Sequence, residues 1–551
     1  MAFVITRSCC KDSSCVPVCP VDCIRPAGAP GEYTDSEMLY IDPDTCIDCG
    51  LCMEECPVDA IYSGENLPQD LERFRDINAE YFKRHPLQQY GEPLPEEHDP
   101  VEPGSLRVAI VGAGPAGCYN ACELLFIDGV EVDMYERLPT PYGLIRGGVA
   151  PDHLNTKEIV DVFDGAFTDD RFACHLNVEV GRDLTHEDLM AHHHAVVYAV
   201  GAFHSRTLGI PGEELSGHHS ATDFVAWYNG HPDFADQSFD LTHERAVIIG
   251  NGNVAIDVAR MLMLEPDELA DTDIADHALQ ALSQSNVKEV VVLGRHAPRD
   301  AAYTLKEFLA LAHLSGIDVV VESDYLEARP DDDIEFEMKV NAAREYAQRE
   351  PSPENKRIVF RFLVSPVEIV GSDRVEGLRV VHNAVDESGA FVQGDPTGET
   401  ELIETPLILR SIGHRGSRIE GLPFDEGRCI VPNDRGRVLG DDGEPLPGVY
   451  VTGWIKRGAH GVIGTNKTDA EETVARLWED FDDGKLTSDI QDSASLQELV
   501  AQRDGEVIDW SGWRAIDAAE RQRGEEASRP RVKFVDIAEM LAAAQSSASS
   551  R

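Results

Sequence analysis

The sequence predicts an α/β protein that begins with a small, cysteine-rich α+β module. Nine of the 13 cysteines lie before residue 57, which sets the start of the chain apart from the rest. Further along, two short apolar strands are each followed by a glycine-rich turn and a helix, starting at Leu106 and at Arg245. Alternating strands and helices are typical of parallel sheets, and 551 residues suffice for several domains.

The charge of the chain excludes two classes of partner. Lys and Arg number 48 and Asp and Glu number 100, which gives a net charge of −52. Such a chain repels phosphate backbones and anionic lipid, so we expect no nucleic-acid and no membrane partner. The most apolar stretch, 246–264, contains two Asn, one Asp and one Arg, and residues 1–6 are too short for a signal peptide. We therefore expect a cytoplasmic protein.

The second cysteine run has a specific spacing, Cys46-x2-Cys49-x2-Cys52-x3-Cys56 followed by Pro57. Three thiolates at this spacing hold one iron–sulfur cluster, and the fourth, before proline, binds the neighbouring cluster. A zinc site usually takes two separated CxxC pairs, and zinc leaves the Cys-Pro pair unexplained. The run therefore predicts iron–sulfur ligation.

The first cysteine run is less regular, and it leaves the type of its cluster open. Pairing the two halves assigns one [4Fe–4S] cluster to Cys46, Cys49, Cys52 and Cys19. A second site then receives three thiolates, from Cys15, Cys56 and either Cys9 or Cys10. Three ligands suit a [3Fe–4S] cluster, whereas a fourth from Cys10 or Cys23 permits a second [4Fe–4S] cluster.

The first glycine-rich turn has the pattern of a dinucleotide site. Gly112, Gly114 and Gly117 follow the strand that ends at Val111. In such a turn the first glycine allows the bend, the second admits the pyrophosphate and the third lets helix and strand pack closely. Glu136 ends the next strand, where an acid binds an unmodified ribose. The turn therefore predicts FAD or NAD.

The second turn has no acid at the corresponding ribose position. Gly250 and Gly252 are followed by Ala255, and the next strand ends in Gly294, Arg295 and His296. A carboxylate repels a 2′-phosphate, whereas an Arg accepts one, so this turn favours NADP. The alternative is that Arg295 is only a solvated charge at a strand end.

Together these sites predict an order of electron transfer. A nicotinamide passes two electrons as a hydride, a cluster takes one electron, and a flavin does both. The first turn then holds FAD, the second holds NADP(H), and the clusters are the one-electron outlet.

Two stretches of sequence resemble known families. The first 63 residues, with FVIT, VCPVDCI and ECPVDAIY, resemble bacterial seven-iron ferredoxins. Residues 105–480, with VGAGPAGCYNA, GNGNVAIDVAR and TGWIKRGAHGVIGTNK, resemble the adrenodoxin reductase-like ferredoxin–NADP reductases. The whole chain is similar to the mycobacterial-type fused ferredoxin/ferredoxin–NADP reductases. The resemblance implies a seven- or eight-iron ferredoxin module followed by a flavoprotein reductase with two Rossmann-like domains.

The resemblance also implies roles for single residues. His153 lies where the family has a histidine close to the flavin, and Trp454 lies beside the flavin, so both are the candidate catalytic residues. The FAD contacts implied are Ala116, Glu136, Leu144, Val180, Trp454, Gly461, Val462 and Ile463. The NADP contacts implied are Arg206, Asn251, Gly252, Asn253, Val254, Arg295, His296 and Glu307. The family usually has two consecutive arginines at the 2′-phosphate, and here the second is His296.

The predicted domains follow from these motifs. We expect an iron–sulfur module over 1–65, a linker over 66–104, an FAD-binding domain over 105–205 and 411–480, an NADP-binding domain over 206–410, and an acidic C-terminal tail over 481–551. Within these segments, 71–81 and 534–544 have the pattern of short helices, and the last ten residues are expected to fray.

The predicted activity is that of a ferredoxin–NADP(+) reductase. Electrons pass from NADPH through FAD to the clusters, to an external ferredoxin or to another one-electron acceptor protein. Two alternatives stay open at this point: a small subunit of an NADPH-dependent glutamate synthase-type complex, and a non-catalytic iron–sulfur and flavin electron carrier.

Overall fold

The N-terminal module is built from two short antiparallel strand pairs. The computed structural model describes residues 1–26, 36–87, 98–323, 325–329, 332–386, 389–502 and 505–548. In the module, Phe3–Ile5 pairs with Ile61–Ser63, Ile24–Arg25 pairs with Tyr40–Ile41, and one helix turn spans Leu51–Glu54. This α+β arrangement agrees with the class predicted for the head of the chain.

A helix that follows the strand pairs joins them from one side. The helix Arg73–Arg84 buries Asn78, whose side-chain oxygen accepts from the backbone N–H of Ile5 (3.3 Å) and of Ile41 (2.9 Å). Its amide donates to the Ile5 carbonyl at 2.9 Å. The helix agrees with the pattern at 71–81, and the start of the expected linker 66–104 packs against the module because one amide side chain satisfies the backbone of both strand pairs. Residues 88–97 of that linker lie outside the described residues.

The first dinucleotide unit is a seven-stranded sheet with the parallel strand Arg107–Val111 near its centre. That strand and its neighbour Ala195–Tyr198 are buried over their whole length, because helices cover both faces. The strands in spatial order are Asn433–Asp434, Arg437–Leu439, Pro445–Val451, Ala195–Tyr198, Arg107–Val111, Glu131–Glu136 and Phe172–Leu176.

The second unit is a six-stranded, all-parallel sheet with Arg245–Ile249 in its interior. The strands in spatial order are His218–Ser220, Ile408–Arg410, Arg245–Ile249, Glu289–Gly294, Lys356–Phe362 and Ile317–Glu322. A three-stranded antiparallel sheet packs beside it, formed by Val364–Gly371, Val375–His382 and Glu401–Glu404, and a small hairpin joins Ala384–Val385 to Phe391–Val392.

Between the two sheets the chain crosses twice, through His204–Ser205 and His414–Arg415, which pair antiparallel. The helices around the sheets are Pro115–Leu125, Leu144–Gly147, Leu154–Lys157, Asp164–Phe167, His186–His192, Ala221–Tyr228, Asn253–Met263, Pro266–Ala270, Asp276–Leu282, Leu305–Ala310, Ile334–Ala347, Trp454–Arg457 and Thr465–Asp482.

Among the described residues, no helix combines the length and the hydrophobicity that a bilayer crossing requires.

The end of the chain is folded onto both sheets. Residues expected to form an acidic tail contain the helices Ser493–Ala501, Trp510–Glu526 and Ile537–Ala548. Trp513 and Ile516 are buried against the first unit, so this segment is not a loose tail. The pattern at 534–544 marked the last of these helices, although its position is shifted; residues 549–551 lie outside the described residues.

A buried carboxylate fixes this C-terminal segment. Glu520 is 0 % exposed, and its oxygens accept from Arg146 at 2.5 and 2.9 Å, from Arg531 at 2.7 Å and from the backbone N–H of Phe534 at 2.9 Å. Arg146 belongs to the helix turn Leu144–Gly147 of the first unit. The helix Trp510–Glu526 therefore holds the helix turn Leu144–Gly147, in which the resemblance implies an FAD contact at Leu144.

Replacing Glu520 with Gln removes the charge that pairs two guanidinium groups. Breaking a buried ion pair costs about 3–5 kcal/mol, so Glu520→Gln should lower the free energy of unfolding by roughly that amount. Urea unfolding at neutral pH measures it. Glu525→Gln, at an exposed position of the same helix, is the control and should leave the midpoint unchanged. Equal midpoints for both variants would contradict this account.

The same carboxylate gives a pH dependence with a defined sign. Burial alone would raise the pKa of Glu520, but Arg146 and Arg531 hold that pKa below its ordinary value of 4.5. The stability advantage of the wild type over Glu520→Gln should therefore be complete above pH 4.5 and disappear as the pH falls below it.

Candidate functional site

The cysteines of the N-terminal module surround two separate cavities. Cys46, Cys49 and Cys52 line the first, together with Cys19 from the other run. Cys23 lies in the same wall, with its sulfur 3.4 Å from that of Cys19. This contact lowers the pKa of the Cys19 thiol to about 6, which favours the thiolate that binds iron. Four thiols from two runs fit a [4Fe–4S] cluster.

The second cavity is lined by Cys9, Cys10, Cys15 and Cys56. Cys56 belongs by sequence to the second run, yet it lies with the first, as expected for a cysteine that precedes proline. Its sulfur accepts a hydrogen bond from the backbone N–H of Ala60 at 3.3 Å, as a cluster-bound thiolate does. Cys23 is not in this wall, so of the two extra thiols considered for this site only Cys10 lies there.

The two glycine-rich turns have the same geometry at the ends of their strands. Gly112 and Gly250 have φ of +104° and +110°. A Cβ at Gly112 would lie 2.7 Å from the carbonyl oxygen of Ala199, and one at Gly250 would lie 2.0 Å from that of Ser411. Both glycines are needed because the turn passes directly over the neighbouring strand's end.

The next glycines leave space at the start of each helix. Gly114 and Gly252 are the N-caps of Pro115–Leu125 and Asn253–Met263, with no close neighbour where a Cβ would lie. Gly117 packs its helix against the turn, since a Cβ there would lie 2.0 Å from the Gly112 oxygen. Helix N-termini with open approach bind phosphate, so both turns fit a pyrophosphate.

Glu136 ends the strand that follows the first turn, where the sequence predicts a ribose contact. Its two oxygens accept from the backbone N–H of Ala113 and of Leu138, both at 3.0 Å. Burial raises the pKa of Glu136. Each oxygen keeps a lone pair, so this carboxyl can accept from a ribose hydroxyl as well.

The strand end in the second unit carries one exposed guanidinium and one imidazole. Arg295 is exposed, while the His296 ring packs 4.6 Å from the ring of Phe391. Burial and the nearby Arg295 lower the pKa of His296 from 6.5, so the imidazole is neutral at pH 7. Asn251 and Asn253 on the adjacent turn accept from the backbone N–H of Ala302 and Thr304, which fixes the turn.

His153 lies in a cluster of charged groups between the two units. Its Nε2 is 3.0 Å from Arg260 Nη2 and 3.8 Å from the Glu307 carboxylate. Arg260 also donates to Asp257 at 2.7 Å and pairs with Asp152. The ligand atoms of His153, Asp257 and Glu307 all lie within 4.8 Å of one another. A guanidinium only donates, so His153 Nε2 accepts and the ring proton is on Nδ1.

Positive charge favours the charged form of two of the three carboxylates in this cluster, whereas burial raises the pKa of Asp257. Burial would raise the pKa of Glu307 and of Asp152, but Lys306 and Arg260 near Glu307, and Arg260 beside Asp152, keep both pKa values below the ordinary range. Sequence reasoning proposed His153 and Glu307 and gave no role to Asp152, Asp257 or Arg260. The only available signal was that Asp257 and Arg260 are charged residues within an otherwise apolar helix.

Trp454 and the loop Gly461–Ile463 lie together at the return of the chain to the first sheet. The Trp454 indole N–H donates to the carbonyl of His460 at 3.1 Å, and its ring lies 5.5 Å from that of His414. The backbone N–H of Val462 donates to Thr465 Oγ at 3.1 Å.

The other proposed contacts are spread over both units. Ala116 is buried in the first helix turn, whereas Leu144, Val180 and Val254 are half-buried. Arg206 is exposed beside the second crossing, where its backbone N–H donates to the Gly413 carbonyl at 3.1 Å.

Comparison with known proteins identifies the family. A profile described as a 4Fe-4S binding domain matches residues 39–62, and one described as a pyridine nucleotide-disulphide oxidoreductase matches 106–350. A probable ferredoxin/ferredoxin–NADP reductase of Mycobacterium tuberculosis is 47% identical over 568 residues, covering 99% of this chain and 95% of that protein. The chain belongs to the ferredoxin/ferredoxin–NADP reductase family. The predicted resemblance, fold class and oxidoreductase activity are confirmed.

Two further matches cover the reductase part. NADPH-ferredoxin reductase FprA of Mycobacterium tuberculosis is 45% identical over 451 residues, covering 79% of this chain and 98% of that protein. The solved structure of Mycobacterium tuberculosis FprA in complex with NADPH has a TM-score of 0.75 at 43% identity, covering 80% of this chain and 99% of that chain. The iron–sulfur profile covers the second cysteine run, and the first run lies outside it.

The contact between Arg260 and His153 predicts that Arg260 positions the His153 ring. Arg260→Lys keeps the charge but loses the planar fork that reaches Asp152, Asp257 and His153 together. We expect NADPH oxidation to slow roughly tenfold, equivalent to ~1.4 kcal/mol, and its pH profile to change because His153 Nε2 loses a donor. The exposed Lys288→Met serves as the control. An unchanged rate and an unchanged pH profile would contradict the role.

Proposed function

We propose that the chain oxidises NADPH at the second glycine turn and delivers the electrons one at a time. FAD held at the first turn would supply the conversion of a hydride into single electrons, and the thiols of the module would hold the clusters that pass them to an external ferredoxin or another one-electron acceptor protein. The observation that carries the proposal is that two dinucleotide turns and two cysteine-lined cavities occur in one chain. The cytoplasmic location stays a prediction.

The first turn supplies the groups that an FAD requires. Gly112, Gly114 and Gly117 admit the pyrophosphate, and Glu136 binds the adenosine ribose. Contacts proposed along the rest of the cofactor are Ala116, Leu144, Val180, Trp454, Gly461, Val462 and Ile463.

The second turn supplies the groups for NADPH. Gly250, Gly252 and the start of the helix Asn253–Met263 face the pyrophosphate, and Arg295 binds the 2′-phosphate. Contacts proposed beside these are Arg206, Asn251, Val254, His296 and Glu307.

The chain's own groups orient the reacting ends. His153 and Trp454 are the candidate catalytic residues. Arg260 holds the His153 ring with its Nε2 as acceptor, and Glu307 is close enough to stabilise the ring when it gains a proton. These groups lie where the two units meet, which is where the nicotinamide and the flavin must come together.

The cavities suggest two clusters with different ligand sets. Cys19, Cys46, Cys49 and Cys52 hold a [4Fe–4S] cluster. Cys9, Cys15 and Cys56 hold a second, which is [3Fe–4S] with three thiolates and [4Fe–4S] if Cys10 is the fourth ligand. Iron counting on the oxygen-free protein distinguishes these two compositions.

Reduction of the bound flavin tests the function directly. Under anaerobic conditions NADPH should bleach the flavin absorption of the full chain, and oxidised cytochrome c added afterwards should become reduced. No bleaching would leave a non-catalytic carrier. Bleaching that reduces no acceptor without a second protein chain would instead support a subunit of a glutamate synthase-type complex.

The preference for NADPH over NADH depends on the pair Arg295 and His296. A neutral imidazole adds no charge at the 2′-phosphate, whereas a second guanidinium adds a charge-assisted hydrogen bond of about 1.5–3 kcal/mol. His296→Arg should therefore raise the ratio of kcat/KM for NADPH to that for NADH roughly tenfold or more at neutral pH. His296→Gln, another neutral donor, is the control. An equal ratio in all three proteins would contradict the assignment.

A further inference from the structure

One loop of the iron–sulfur module lies against both dinucleotide units. The backbone N–H of Gly464, in the first unit, donates to the carbonyl of Cys10 at 2.9 Å. Lys306, in the second unit, donates from Nζ to the carbonyl of Cys9 at 2.5 Å. A Cβ at Gly464 would lie 2.2 Å from the carbonyl carbon of Lys11, so backbone meets backbone here.

The two residues that hold this loop adjoin the proposed reaction site. Gly464 directly follows Gly461–Ile463, and Lys306 directly precedes Glu307, whose carboxylate is 3.8 Å from His153. Lys306 is buried, so its contact with Cys9 lies inside the molecule. The cavity of Cys9, Cys15 and Cys56 is therefore the one that adjoins the cleft between the two units.

A second contact fixes the orientation of the module. The Glu335 carboxylate, at the start of the helix Ile334–Ala347, accepts from the Tyr40 hydroxyl at 2.7 Å and from the backbone N–H of Glu37 at 2.9 Å. Glu37 in turn pairs with Lys339 of the same helix at 2.7 Å. Tyr40 and Lys339 are buried, so this contact is not a loose surface pair.

The wall of the other cavity contains an exposed thiol. Cys49 is exposed, and the apolar side chains beside it are exposed as well, with Ile47 at 58 %, Leu51 at 43 % and Met53 at 42 %. Exposed acidic residues flank these side chains in the sequence, namely Asp44, Asp48, Glu54 and Glu55, of which Asp48 pairs with the N-terminal ammonium at 3.1 Å. An apolar centre with an acidic rim fits a protein surface with an apolar centre and a basic rim.

We propose that the two cysteine sets act in a fixed order, with Cys9, Cys15 and Cys56 as the entry and Cys19, Cys46, Cys49 and Cys52 as the exit. The external acceptor, a one-electron carrier with a basic rim, docks on the Ile47, Leu51 and Met53 surface. It does not dock at the Gly461–Ile463 loop, which adjoins the backbone contact between Gly464 and Cys10. The proposal rests on the proposed function. Each NADPH becomes NADP⁺ and releases one proton, and two acceptor molecules each gain one electron.

Alanine variants of one cysteine from each set test the order. The full chain is mixed anaerobically with NADPH, frozen at successive times, and the magnetic signal of each cluster is followed by EPR. In Cys49→Ala the entry cluster should still be reduced at the wild-type rate while cytochrome c reduction is lost. In Cys15→Ala the flavin should bleach while the exit cluster stays oxidised. Reduction of the exit cluster at the wild-type rate in Cys15→Ala would overturn the order.

Surface variants test the exit without altering a cluster ligand. Glu54→Lys reverses one rim charge, and Glu399→Lys reverses an exposed charge in the second unit. At low salt, Glu54→Lys should lower kcat/KM for the basic cytochrome c several-fold, and the difference from wild type should vanish at high salt because the charges are screened. Glu399→Lys should leave kcat/KM for cytochrome c at the wild-type value at both low and high salt. Equal effects of both variants would overturn the docking surface.

The outcomes separate this proposal from the function on which it rests. If NADPH does not bleach the flavin of the wild-type chain, the proposed function fails. If bleaching occurs and the exit cluster is reduced first, or the rim charge has no effect, only the order and the docking surface fail.

Discussion

The buried guanidinium of Arg260 is the interaction on which the arrangement of the two dinucleotide units depends. It extends from the helix after the second glycine turn to Asp152 and His153 of the first unit. A charge removed from water is tolerated only when it is paired, so Asp152 and Asp257 must stay with it. Because those partners come from both units, the pairing joins the two units and sets the direction of the His153 ring.

The iron–sulfur module packs against both dinucleotide units. Its cysteine loop meets the backbone of Gly464 and the buried Lys306, and its opposite hairpin meets Glu335 through Tyr40. Contacts to both units mean that the module sits over the opening between them. The C-terminal helices act from another side, where Glu520 pairs with Arg146 of the first unit. Two segments that look peripheral in the sequence thus stabilise the catalytic cleft.

Sequence reasoning succeeded where the chemistry is local. Gly112 and Gly250 are each required by the turn in which they occur, and Cys46, Cys49 and Cys52 by a spacing within seven residues. It failed where the partner is distant. The pattern at 71–81 indicated the helix Arg73–Arg84 but not what it packs against, because Asn78 meets the backbone of Ile5 and Ile41 only in the folded chain. The sequence predicts a tail after Asp480 because Arg146, which pairs with Glu520, lies hundreds of residues earlier in the chain.

The sequence alone determined which groups are available: two turns for dinucleotides, two sets of thiols, and an arginine in place of an acid at the second ribose position. Spacing along the chain is enough for this, because the residues of each motif lie close together in the sequence. Only the tertiary structure decided which set of thiols adjoins the cleft, which is exposed, and which charges surround His153. Those relations join residues far apart in the chain, and they arise from burial and pairing across elements that no local pattern records.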